Sequence, residues 1–236
     1  MMKLLVEYGK LGPMRFCSHR DFVRCFERAL LRAKIPMAYS SGFSPHPRIS
    51  YVNPAPTGAE SIAEYCVIGL RETCDPAFVR TKLDAAMPNG LPILEVTEAS
   101  DLHFDASLWE VRLVPFAAQP VGAGRESGSE TFQTPDSRPV LDLATTVETF
   151  LASPEAIVSR ETKNGLRTFD AKPAVEYLAV TAPGTLTMVI RHTEPLVRPD
   201  DVVSALRSIN PEIPPSPLTK RLRQAPAAEL IPRMKQ

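Results

Sequence analysis

An α+β fold built from two small split units is what this sequence predicts, and three observations lead to it. Strand-like and helix-like hydrophobic periods alternate through the first 100 residues, the pattern breaks over residues 99–105, and 24 prolines in 236 residues interrupt the chain too often for long helices. A chain of this length encloses one large core or two of roughly 100 to 120 residues each. Apolar residues make up 44% and charged residues 23%, which excludes a wholly disordered polymer.

Residues 4–8 read as a strand and residues 9–14 as a glycine- and proline-rich turn. Ser18 then suits a helix N-cap, with Asp21 in the first turn, where a carboxylate favours the positive end of the helix. Phe22, Phe26, Ala29, Leu30 and Ala33 recur at helical spacing, and Pro36 is expected to end the helix after Ile35. Residues 49–53 and 63–70 follow as strands. Asp75-Pro76 opens a second helix through Phe78, Val79, Leu83 and Met87, Pro88-Asn89-Gly90 closes it, and residues 93–97 form a fourth strand. Strand, helix, strand, strand, helix, strand is the ferredoxin-like βαββαβ order, so residues 1–100 are expected to form a ferredoxin-like subdomain.

Residues 105–224 are expected to form a second, degenerate ferredoxin-like subdomain. Its elements are a strand over 109–115, a mobile loop over 119–139, helices over 141–152 and 199–209, and short strands over 156–159, 166–169, 177–180 and 186–191. Residues 225–236 read as a frayed tail.

The opening Met1-Met2-Lys3-Leu4-Leu5-Val6-Glu7 supports neither a signal peptide nor an anchor, and no apolar run approaches the roughly 20 residues needed to cross a bilayer. A cytoplasmic protein with no membrane partner is expected, in which Cys17, Cys25, Cys66 and Cys74 stay reduced. None of their spacings makes a CxxC pair or a cluster-binding triad, so no metal and no cofactor are expected on this chain.

Formal net charge is zero, yet the first 60 residues carry Lys3, Lys10, Arg15, Arg20, Arg24, Arg28, Arg32, Lys34 and Arg48 against Glu7, Asp21, Glu27 and Glu60. Three constellations stand out there. Arg20, Arg24, Arg28 and Arg32 repeat every fourth residue and fall on one stripe of the first helix, either as a solvated face or as a row of phosphate contacts. The segment Tyr39-Ser40-Ser41-Gly42-Phe43-Ser44-Pro45-His46-Pro47-Arg48 could offer amides and Arg48 to a phosphate while Phe43 stacks on a base. Equally, its prolines could fix an extended lead-in to the next strand, with Phe43 as a core plug. His19 and His46 are the only weak catalytic candidates, as a general acid or base, although His19 reads more simply as a hydrogen-bonding residue at the helix end.

These same residues resemble a known family. Phe16-Cys17-Ser18-His19-Arg20-Asp21, Arg24, Phe26-Glu27-Arg28-Ala29-Leu30, Ile35-Pro36, Tyr39-Ser40, the run from Gly42 to Ser50, Gly58-Ala59-Glu60-Ser61 and Glu64-Tyr65 together resemble the radical-SAM-linked family, a bacterial domain of unknown function. The resemblance implies that such a domain stands alone or is attached to a radical SAM enzyme, and sometimes neighbours a ribonuclease G/E-type protein. It implies no established reaction. Arg20 stands where the family usually has an apolar residue, and Asp170-Ala171-Lys172-Pro173 resembles a family Asp-x-Arg-Pro element with lysine in place of arginine, which weakens any bidentate anion site there. The expectation for function is an RNA-binding or RNA-modification accessory module without catalysis of its own. The alternatives are an adaptor for a separate radical SAM enzyme and a metal-independent endoribonuclease.

Overall fold

The computed structural model describes residues 2–100, 103–113, 142–162 and 165–231, and the loop expected over 119–139 lies outside them. The α+β expectation holds: a mostly antiparallel sheet is accompanied by five helices among the described residues. The chain divides into two compact units, Met1–Glu110 with Thr219–Gln236, and Val111–Leu218.

In the first unit, β1 (Met2–Lys10) lies antiparallel between β3 (Glu60–Leu70) and β4 (Ile93–Glu98). The far edge of β3 is shared. Strand β2 (Ile49–Val52) pairs antiparallel with residues 65–68 of β3, while β10 (Leu218–Ala225) pairs in parallel with Glu60 and Ser61 at its start, and β5 (Ala106–Arg112) lies next to β10. Alternation places Leu4, Val6 and Tyr8 of β1 and Cys66, Ile68 and Leu70 of β3 on one buried face. Phe22, Phe26, Ala29 and Leu30 of α1 (His19–Arg32) and Val79 and Leu83 of α2 (Pro76–Ala86) cover it. Tyr8 stacks on Phe22 at 4.5 Å, and Phe22 on Phe26 at 5.6 Å.

Both helices begin as expected, α1 on Ser18 and α2 on Asp75, whose side chain accepts from the Ala77 and Phe78 amides. The end of α1 differs from expectation. It stops at Arg32 because Lys34 turns into the left-handed region at φ 54°, so that its amide donates to Leu31 and the Ile35 amide to Leu30, with Leu30 and Ile35 buried. Pro36 follows a turn already made. After α2, Gly90 at φ 88° receives the Leu11 amide, and a Cβ there would sit 2.8 Å from Met14 Cγ, so that position requires glycine.

At one end of this core the apolar face gives way to buried charge. Glu64 pairs with Arg221 of β10 at 3.2 Å with side chains only 2% and 3% exposed. The second Glu64 oxygen accepts the Ala55 amide at 2.9 Å, and Arg221 donates to the Asn53 carbonyl at 2.7 Å while its guanidinium lies over the Trp109 ring. Lys10 reaches in beside them, donating to Pro56 at 3.2 Å and to Cys17 at 3.5 Å, and burial lowers its amine below the usual lysine range. The segment Asn53–Gly58 thus closes over the pair.

In the second unit, α3 (Leu143–Ala152) packs against α4 (Pro199–Ile209) and β8 (Val175–Ala182), which pairs antiparallel with β9 (Thr185–Arg191). Strands β6 (Ile157–Thr162) and β7 (Gly165–Asp170) form a separate hairpin, bound to α4 through Arg160 and Asp201 at 2.5 Å.

Residues 105–110 and 219–224 fall in the first unit, where β10 and its residue Arg221 form long-range pairs that sequence order does not reveal. The tail expected from residue 225 is held through Leu230: α5 (Ala227–Leu230) buries Ala227 and Leu230, and the Ala227 amide donates to Asp105 at 2.7 Å. Among the described residues no helix is long and apolar enough to cross a membrane.

Removing one partner of a buried ion pair leaves the other uncompensated, so Glu64→Ala is expected to lower stability by about 3–5 kcal/mol. Urea denaturation should show the double variant Glu64→Met, Arg221→Met to be more stable than Glu64→Ala alone.

Candidate anion-binding surface on the first helix

All four arginines of α1 are exposed, but they do not act as one row. Residues four apart advance about 40° beyond a full turn at each step, so the stripe winds around the helix. Arg24, Arg28 and Arg32 line one open cleft of about 380 Å³ together with Asp21, Cys25 and Pro88, the last from the turn after α2. Arg20 falls outside that lining.

The three cleft arginines are not equivalent. Arg32 donates to the Ala86 carbonyl at 2.6 Å, satisfying an end carbonyl of α2 with a cation where the helix dipole favours one. Asp21 contributes negative charge to the cleft, its carboxylate accepting the Ser18 hydroxyl at 2.6 Å. Arg24 and Arg28 therefore give the cleft its available positive charge.

The loop over residues 39–48 is built on its own support. Tyr39 bridges to Pro47, Ser40 and His46 bond to each other through the Ser40 amide and the Ser40 hydroxyl, and the Arg48 amide donates to Ala38. The Arg48 side chain donates to the Tyr39 carbonyl at 3.2 Å, bracing the base of the loop. Phe43 at the tip is fully exposed, so it plugs no core. The loop contributes nothing to the lining of the arginine cleft.

His19 does not cap its helix, a role filled by Ser18, but meets the Tyr51 ring edge-on at 4.9 Å. His46 belongs to the loop, and among the described residues no ring contact or hydrogen bond joins the two imidazoles. Lys172 of the Asp-Ala-Lys-Pro element donates to the Phe150 and Leu151 carbonyls at 2.5 and 2.7 Å, so it serves the end of α3 as Arg32 serves α2. Asp170 accepts the Ala156 and Lys172 amides at 2.8 and 2.9 Å and shapes the same corner.

A family model described as an uncharacterized protein conserved in bacteria (DUF2344) matches residues 3–199. The chain belongs to this family. No curated protein matches it. The family match takes in both α1 and the 39–48 loop and ends at the first residue of α4, before Arg221, the partner of Glu64.

Sequence reasoning did not find the Glu64, Arg221 and Lys10 cluster. One signal was present: Glu64 falls among the inward-facing residues of β3, in phase with Cys66 and Ile68, where an acidic side chain needs a buried partner.

Because Arg32 is structural and Arg24 is not, Arg32→Met should cost about 1 kcal/mol at the end of α2, while Arg24→Met should change stability by less than about 0.5 kcal/mol. Chemical denaturation of the two variants side by side checks the difference.

Proposed function

We propose that this protein is a non-catalytic RNA-binding accessory module whose contact surface is the exposed face of α1. One observation carries the reading: Arg24 and Arg28 project into an open cleft from a helix anchored at its N-cap, along its buried face and by Arg32 on α2. Successive arginines on that face stand about 6 Å apart along the axis, a spacing suited to phosphates in series. Guanidinium groups are the side chains best matched to phosphate oxygens.

The finer family reading, membership of the radical-SAM-linked group, rests on the resemblance carried by residues 16–65. Under it, a radical SAM enzyme or a ribonuclease G/E-type protein supplies the chemistry and this chain holds the RNA. The ferredoxin-like reading of the first unit is supported by the strand order β4-β1-β3 with β2 against β3 and by both helices sharing one core. From β5 to β10 the chain runs strand, helix, hairpin, strand, strand, helix, strand, in keeping with a degenerate second copy interrupted by the β6–β7 hairpin. The separate supports of His19 and His46 give no backing to the nuclease reading.

Binding through phosphates releases counterions, so RNA affinity should fall steeply as salt rises. The double variant Arg24→Ala, Arg28→Ala should bind more weakly and reduce the slope of log affinity against log salt by about 1.4, at about 0.7 per phosphate contact on a single strand. Filter binding over a salt series measures both. An affinity indifferent to salt would falsify the proposal.

A further inference from the structure

The arginine cleft is adjoined by a second one. Arg32 lines both, and beyond it lies an opening of about 650 Å³ bordered by Lys34, Phe78, Lys82 and Ala85. No carboxylate is among the residues lining this second cleft. Its charge comes from Arg32, Lys34 and Lys82, and Lys34 is displayed there by the left-handed turn that ends α1.

Phe78 lies outside the core that α2 helps to cover. The buried positions of α2 are Val79 and Leu83, and Phe78 stands about 100° around the helix from Val79. Phe78 is 51% exposed, and the Lys82 amine lies 5.7 Å from its ring centroid. The helix fixes its backbone, and Lys82 one turn later attends the ring. An exposed aromatic held on a helix, in a cleft lined by cations, is what sequence-tolerant nucleobase stacking requires. Phe43, by contrast, sits fully exposed at a loop tip, so ordering it on a ligand costs more.

We propose that Phe78 is the base-stacking residue of this surface and that its ligand is single-stranded RNA, laid along α1 with phosphates on Arg24 and Arg28 and a base on Phe78. The proposal rests on the RNA-binding reading and narrows it to a strand with unpaired bases. A duplex keeps its bases stacked within itself and offers Phe78 no face. An acidic polypeptide satisfies the cations but not the ring.

The test is fluorescence anisotropy on the full chain, with a labelled single-stranded oligoribonucleotide and the same strand annealed to its complement. Phe78→Ala is expected to weaken single-strand binding about tenfold without changing the salt slope, because stacking releases no counterions. Phe78→Trp should restore affinity, Phe43→Ala should leave it within about twofold, and the duplex should bind more weakly than the strand. The proposal is overturned if Phe78→Ala binds the strand like the parent protein, if the duplex binds as tightly, or if polyglutamate displaces the strand as well as unlabelled RNA does. Failure of the parent protein to bind RNA, or indifference to Arg24→Ala, Arg28→Ala, sinks the RNA-binding reading itself. Parent-like binding by Phe78→Ala alone, with Arg24→Ala, Arg28→Ala still weakened, sinks only the assignment of Phe78.

Discussion

Glu64 and Arg221 meet inside the first unit, far apart in sequence and almost wholly out of water. Much of the surrounding order depends on that meeting. Arg221 brings β10 to the start of β3, the Asn53–Gly58 segment hands one backbone group to each partner, and Trp109 covers the guanidinium. Lys10, drawn into the same pocket of charge, holds the Cys17 carbonyl just ahead of the Ser18 cap. The position from which α1 departs is therefore tied to the buried pair. Desolvating three charges is costly, and the ion pair together with backbone hydrogen bonds to Glu64 Oε2, Arg221 Nη1 and Lys10 Nζ offsets part of it. Glu64 Oε1 and Arg221 Nε make no hydrogen bond among the described residues.

From that fixed start, charge is divided between structural and available roles. Two helices end without a glycine cap and take a cation instead, α2 from Arg32 and α3 from Lys172. In each case orphan carbonyls of the last turn find a donor that the dipole also favours. An arginine or lysine count would class these with the surface cations. The geometry separates them: Arg32 is held on Ala86, while Arg24 and Arg28 face an open cleft. Arg48 makes the same point in the loop, bracing Tyr39.

Local signals in the sequence located most elements. Ser18, Asp75 and the spacing of Phe22, Phe26, Ala29 and Leu30 marked α1 and α2, and the alternation through Cys66, Ile68 and Leu70 marked β3, because caps and hydrophobic periods are short-range physics. What stayed hidden was long-range. Nothing near residue 221 announces that its side chain belongs beside Glu64, and nothing near Lys172 announces the end of α3. The candidate surface was legible in part: the arginine repeat was visible, but the mismatch between a spacing of four and a helical period of 3.6 was needed to see that Arg20 leaves the cleft and Arg32 enters it. The exposure of Phe78 was hidden for a related reason, since it neighbours the buried Val79 in sequence yet faces another direction.

The central claim is that a strand of RNA lies on the first unit, along α1 and onto α2. Photocrosslinking a thiouridine-substituted single strand to the intact protein, followed by peptide mapping, addresses that placement directly. Crosslinks on peptides carrying Arg24, Arg28 and Phe78 are the predicted result. Crosslinks confined to Val111–Leu218, with those peptides unmarked, would contradict it.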